Sequence, residues 1–175
     1  MTNEDYKSLL AHVLAQFESD AAVSCEQIRE WMHSSSLEVR WLAADLMLQH
    51  PDRVIGLSNQ ERDTLILKHL VQEIFAGRSD PKLPGSYLAG HSLRAWFERL
   101  WQHRSENEEV LRQLRTELAD IAINGSERAR DAVITAVLEH LFSQSSIVHF
   151  FSLWRDDKRL AAVYDEALRL SQSIG

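Results

Sequence analysis

The chain has 175 residues, 45% of them hydrophobic and 26% charged, with six glycines, three prolines and a single cysteine. This composition is that of an ordered globular chain, and Cys25 alone excludes an intrachain disulfide framework. The net charge of -7 argues against a duplex-binding surface, and no apolar run reaches the ~18 residues of a membrane span.

At this length roughly two-thirds of the unfolded surface is buried on folding, so a single domain over residues 1-175 is expected. The opening MTNEDYKSLL carries acids where a secretory leader carries positive charge. Together with the lone cysteine this leads us to expect a cytoplasmic protein. The acidity is concentrated at the front: residues 1-50 hold eight acids against three bases, a field that suits solubility and also attracts a basic partner.

In chain order, the first apolar-periodic run predicts a helix over 4-18. Four Ser-x-x-Glu/Gln boxes then precede further runs: Ser24 with Gln27, Ser35 with Glu38, Ser58 with Glu61, and Ser105 with Glu108. In such a box the hydroxyl accepts an otherwise unpaired backbone N–H, and the N3 side chain reaches back to the cap. The predicted helices are 25-33, 36-49, 59-76, 87-103, 106-123, 127-142, 146-153 and 156-172. Pro51, Gly77 and the Asn124-Gly125 pair supply stops. No alternating apolar pattern competes, so the fold class expected is all-α with no sheet, as eight or nine helices in a compact solenoid-like or bundle domain. Gly77 to Ser86 (GRSDPKLPGS) is the one loop of note.

Two helices ninety residues apart share a pattern. LEVRWLAADLMLQH (Leu37 to His50) and ERARDAVITAVLEH (Glu127 to His140) each place an arginine, Arg40 or Arg130, one turn in, and each ends on a histidine. Val39, Arg40 and Ala43 resemble the second helix of HEAT and armadillo repeats, which begins Asp-x-x-Val-Arg-x-x-Ala; Ala129 and Arg130 match less closely, and the leading Asp is missing from both. The resemblance implies stacked helical units of about 45 residues. It implies no reaction.

No catalytic motif is present. Gly85 to Ser92 (GSYLAGHS) has the spacing of a phosphate-binding loop but puts His91 at the lysine position and lacks a preceding strand. Glu30 and His33 form a single Glu-x-x-His pair where a carboxylate di-iron site needs two, and the other histidines are scattered, so no metal or cofactor is expected. His50, His103 and His140 fall near helix C-termini, where the dipole favours a cation. Cys25 opens a helix with no identifiable base beside it. Trp96, Phe97, Leu100 and Trp101 crowd one helix and read as core.

Trp41 differs. With Val39, Leu42, Ala43 and Leu46 turned inward, Glu38, Trp41 and Asp45 share the other side of that helix, an aromatic anchor flanked by acids. The leading expectation is a non-enzymatic protein-binding module that meets a basic partner through Glu26, Glu30, Glu38, Trp41 and Asp45, similar in general character to bacterial immunity proteins that cover a basic toxin. Packing of Trp41 on a neighbouring helix is the bland alternative. Other readings are an enzyme or small-ligand protein with a pocket under the 80-90 loop using Tyr87, His91 and Arg94, and a structural subunit or homodimer.

Overall fold

Local capping chemistry starts the helices of the first half. Ser24 accepts from the Gln27 backbone N–H while the Gln27 side chain accepts from Ser24, a complete capping box that opens α2 (Cys25–Met32). The computed structural model describes residues 3-19, 21-77 and 85-173, with side chains from residue 7 onward. Its fold is all-α, and its contacts divide into two compact units, Met1–His69 and Leu70–Gly175.

The first unit holds α1 (Asn3–Glu18), α2, α3 (Leu37–Gln49) and the start of α4 (Asn59–Phe75). The cap of α3 is Ser36, whose hydroxyl accepts from Val39 N–H, one residue beyond the expected Ser35. This leaves Ser36, not Ser35, to meet the Glu38 carboxylate. Ser58 accepts from Glu61 N–H at the start of α4, as expected. Pro51 ends α3 and begins a short 3-10 turn, Pro51–Arg53.

The expectation of no sheet needs one correction. Val23–Ser24 (β1) and Val54–Ile55 (β2) pair in parallel, Val23 opposite Val54. Two residues on each side are too few for an alternating pattern to show. Arg53, just before β2, donates to the carbonyls of Gln16, Phe17 and Ala21, tying the end of α1 to this pair. Val13, Val23, Ile28, Trp31, Val39, Ala43, Leu46 and Ile66 are buried beneath. Each fully buried aliphatic side chain contributes about 1.5-3 kcal/mol.

The second unit holds the end of α4, then α5 (Ser86–Gln102), α6 (Glu108–Asn124), α7 (Glu127–Ala132), a π-helical stretch Val133–Leu138, α8 (Glu139–Leu141), α9 (Ser145–Phe150), a 3-10 turn Ser152–Arg155, and α10 (Ala161–Ser171). Gly77 stops α4 with a φ of +60°, which only glycine adopts at little cost. The loop expected from 77 to 86 lies largely outside the described residues. Ser105 does not cap α6. Asn107 occupies that place and uses its side chain to donate to the carbonyls of Leu100 and His103, closing α5 instead.

The helix expected over 127-142 is continuous but passes through the π stretch, and α5 packs most closely on it. The predicted helix 156-172 begins only at Ala161. The Asp157 side chain is turned to Arg159, and its carbonyl accepts from Leu160 and Ala161, so the Asp156-Asp157 pair forms a turn ahead of the helix. Trp96, Phe97 and Leu100 are buried as expected, Trp101 is only half-buried, and Phe97 sits among Trp101, Phe150 and Phe151. No helix of the described residues is long and apolar enough to cross a membrane.

Candidate functional site

The acids of α2 and α3 are held by different means. Glu26 is exposed but bound inward: its carboxylate accepts from the Cys25 thiol and lies 3.9 Å from Arg29. Hydrogen bonds from its own backbone, Cys25 and Ser24 hold its pKa below the usual carboxylate range. Arg29 is engaged more strongly by Glu61, at 2.7 Å, and that bond lowers the Glu61 pKa in turn. Glu30, one turn from Glu26 on the exposed side of α2, makes no ion pair among the described residues. Glu38 is half-buried and accepts from Ser36; Asp45 is half-buried and likewise unpaired among the described residues.

The face of α3 that carries Glu38, Trp41 and Asp45 is not wholly open. Trp41 is half-buried, its ring edge-on to His69 of α4 at 5.0 Å, with its indole N–H buried and unpartnered. His69 is 2% exposed, and burial, followed by the charge of Arg40, pushes its pKa down to about 4. The reading of Trp41 as an anchor on an open face is therefore modified: much of the indole faces α4. Sequence periodicity gives the two sides of a helix but not which neighbour covers each.

Arg29, Arg40 and Arg53 of this unit are likewise engaged by acceptors within it. Arg40 donates to the Ser34 carbonyl at 2.7 Å and so secures the α2–α3 turn. Arg53 is committed to three carbonyls and Arg29 to Glu61. Residues 1-69 carry eleven acids against six bases, a balance of -5 out of the chain's -7. With these arginines turned to internal acceptors, the outward field is negative.

A second grouping lies in the Leu70–Gly175 unit. Gly90 of α5 meets the π stretch so closely that a Cβ there would lie 2.7 Å from the Ala136 Cβ and 3.4 Å from the Ala132 carbonyl. Close approach of the two backbones sets polar residues of both helices side by side. One turn before the crossing, the Tyr87 hydroxyl donates to the Asp131 carboxylate, and the Arg128 guanidinium lies over the Tyr87 ring at 5.5 Å. The Asp131 bond raises the Tyr87 pKa, because the neutral phenol is the donor. These residues and Glu127 line a depression of about 410 Å³. Beyond the crossing, the rings of His91 and His140 lie 6.0 Å apart, and the Nε of Arg94 is buried without a partner.

Tyr87, His91 and Arg94 were legible in the sequence as candidates, and α5 carries all three. Asp131, Arg128 and His140 were not associated with them. The only local hint was the small-residue spacing Gly90, Ala132, Ala136, which permits close helix contact but names no partner. The other part of the expected pocket, residues 80-84, lies outside the described residues.

No protein-family model, curated protein or solved structure matches this chain. Among the described residues no three His, Cys, Asp or Glu side chains converge as a metal site. His33 turns its Nδ1 to the Arg29 carbonyl at 2.7 Å, a backbone contact at the end of α2. Cys25 is buried.

Proposed function

We propose that this chain is a non-catalytic protein-binding module whose Met1–His69 unit meets a basic partner through the acids of α2 and α3. The observation that carries the reading is the asymmetry of pairing: Arg29, Arg40 and Arg53 are bound to internal acceptors, whereas Glu30 and Asp45 have no ion pair among the described residues. Carboxylates left unpaired on adjacent packed helices steer and orient a cationic surface. Glu30 and Asp45 are the contact residues, Glu38 adds charge beside its Ser36 bond, and Glu26 supports the surface through its Cys25 and Arg29 contacts. Trp41, braced by His69, supplies a fixed apolar floor. An inhibitor of a basic toxin, as in bacterial immunity, is the specific form of this function we favour.

The test is capture from the native cell with the wild-type chain and with a Glu30→Lys/Asp45→Lys double variant. We expect a basic protein on the wild-type chain that is released by salt and lost from the variant. Equal capture by both chains, or a partner insensitive to salt, overturns the reading.

A further inference from the structure

We infer that Arg94, His91 and His140 form an oxyanion site on the Leu70–Gly175 unit, selective for phosphate and phosphate monoesters. This site is separate from the acidic surface proposed above and does not depend on it. Arg94 and His91 are three residues apart on α5 and so share a face. His140, from α8, brings its ring to 6.0 Å from that of His91, with the planes inclined at 49°.

The state of Arg94 points to a ligand. Its Nε–H is buried with no acceptor, and among the described residues its guanidinium makes no hydrogen bond or ion pair. A sequestered donor left unmet costs about 1-3 kcal/mol, and more when the group is charged. Glu98 lies one turn further along α5 and forms no ion pair with it. Asp131 on the facing helix is occupied by the Tyr87 hydroxyl.

Burial, followed by the charges of Arg94 and His140, depresses the His91 pKa. No carboxylate is among the groups that shift His91, and neither Glu98 nor Glu139, the residue beside His140, forms an ion pair among the described residues. Three cationic or potentially cationic donors thus meet without an ion-paired carboxylate, the arrangement an oxyanion completes. A dianion suits it better than a monoanion, because it can hold both imidazoles protonated beside the guanidinium. Tyr87 lies four residues before His91 on the same helix, so the depression at Tyr87, Arg128 and Asp131 adjoins the site and gives room to the group esterified to the phosphate.

The probes are inorganic phosphate and glycerol phosphate, titrated at constant ionic strength while the imidazoles of His91 and His140 are followed by NMR. Saturation with phosphate should raise the His91 imidazole pKa by roughly half a unit or more and shift the His140 ring resonances. Arg94→Gln should weaken binding about tenfold and remove the pKa response. His91 is exposed, so His91→Gln keeps the fold and should also weaken binding. Glycerol phosphate should bind at least as tightly as inorganic phosphate. Imidazoles that do not respond to tens of millimolar phosphate, or that respond equally in His91→Gln or a folded Arg94→Gln chain, overturn the site, and exclusion of glycerol phosphate overturns its assignment to monoesters.

Discussion

The Trp41 indole and the His69 imidazole meet edge to face at 5.0 Å, and each ring hides a nitrogen that has no hydrogen-bond partner. Aromatic contact holds α3 to α4 here, and the imidazole is tolerated only while neutral.

This contact makes the stability of the first unit depend on pH. His69 has a folded pKa of about 4 against 6.5 for an ordinary histidine, so the unfolded chain takes up a proton first as pH falls. The stabilisation is complete above pH 6.5 and declines toward pH 4, by an amount on the order of 3 kcal/mol if fully expressed. Burial raises the pKa of Asp63, so in the range above pH 3.8 that carboxyl gains stability on acidification and opposes the His69 effect. Comparing urea midpoints of wild type and His69→Phe across this range isolates the histidine. The wild type should lose stability more steeply on acidification, and parallel curves would show that His69 is not responsible.

Arg53 holds the end of α1 through bonds to Gln16, Phe17 and Ala21. Removing the guanidinium leaves those carbonyls without their donor, and Arg53→Ala should cost about 2 kcal/mol. Arg53→Lys should recover less than half, because one ammonium cannot reproduce the planar fork. Denaturant midpoints measure the cost, and faster amide exchange confined to the end of α1 would identify the origin.

Gly90→Ala offers a test by sign. In an open helix the change stabilises by about 1 kcal/mol, but the added Cβ would lie 2.7 Å from Ala136. The packing cost should win, leaving the variant roughly 1-3 kcal/mol less stable. Ala136→Gly on the facing helix should restore a large part of that loss in the double variant. A stabilised single variant would mean the helices do not approach this closely.

Tyr87 should titrate above an ordinary phenol, since its proton is shared with the Asp131 carboxylate and ionisation would set two negative charges together. Asp131→Asn should bring the Tyr87 midpoint down, read from the phenolic carbon by NMR. No change in the midpoint would remove Asp131 as the cause.

Much of the helical layout was legible because its signals are local. A serine placed three residues before Gln27, or a proline at 51, acts within one turn, so helix starts and stops follow from short stretches of chain. The misreadings were also local competitions: Ser36 displaced Ser35 as a cap, and Asn107 spent its side chain on α5 while Ser105 capped nothing. The candidate acids were visible as a pattern, but their pairing was not. Arg29 finds Glu61 thirty-two residues away, and Arg53 finds Gln16 thirty-seven away, and no periodicity encodes such separations.

The sequence by itself determined an all-α chain, most of its helix boundaries and a negatively charged first third, since capping, stop chemistry and net charge depend on neighbouring residues or on simple composition. Tertiary structure alone decided that Trp41 rests on His69, that the arginines of the first unit turn to internal acceptors, and that His140 comes beside His91 and Arg94. The physical reason is that charge pairing and burial are set by distances in space, and a contact such as Gly90 against Ala136 is fixed only when the two helices have packed.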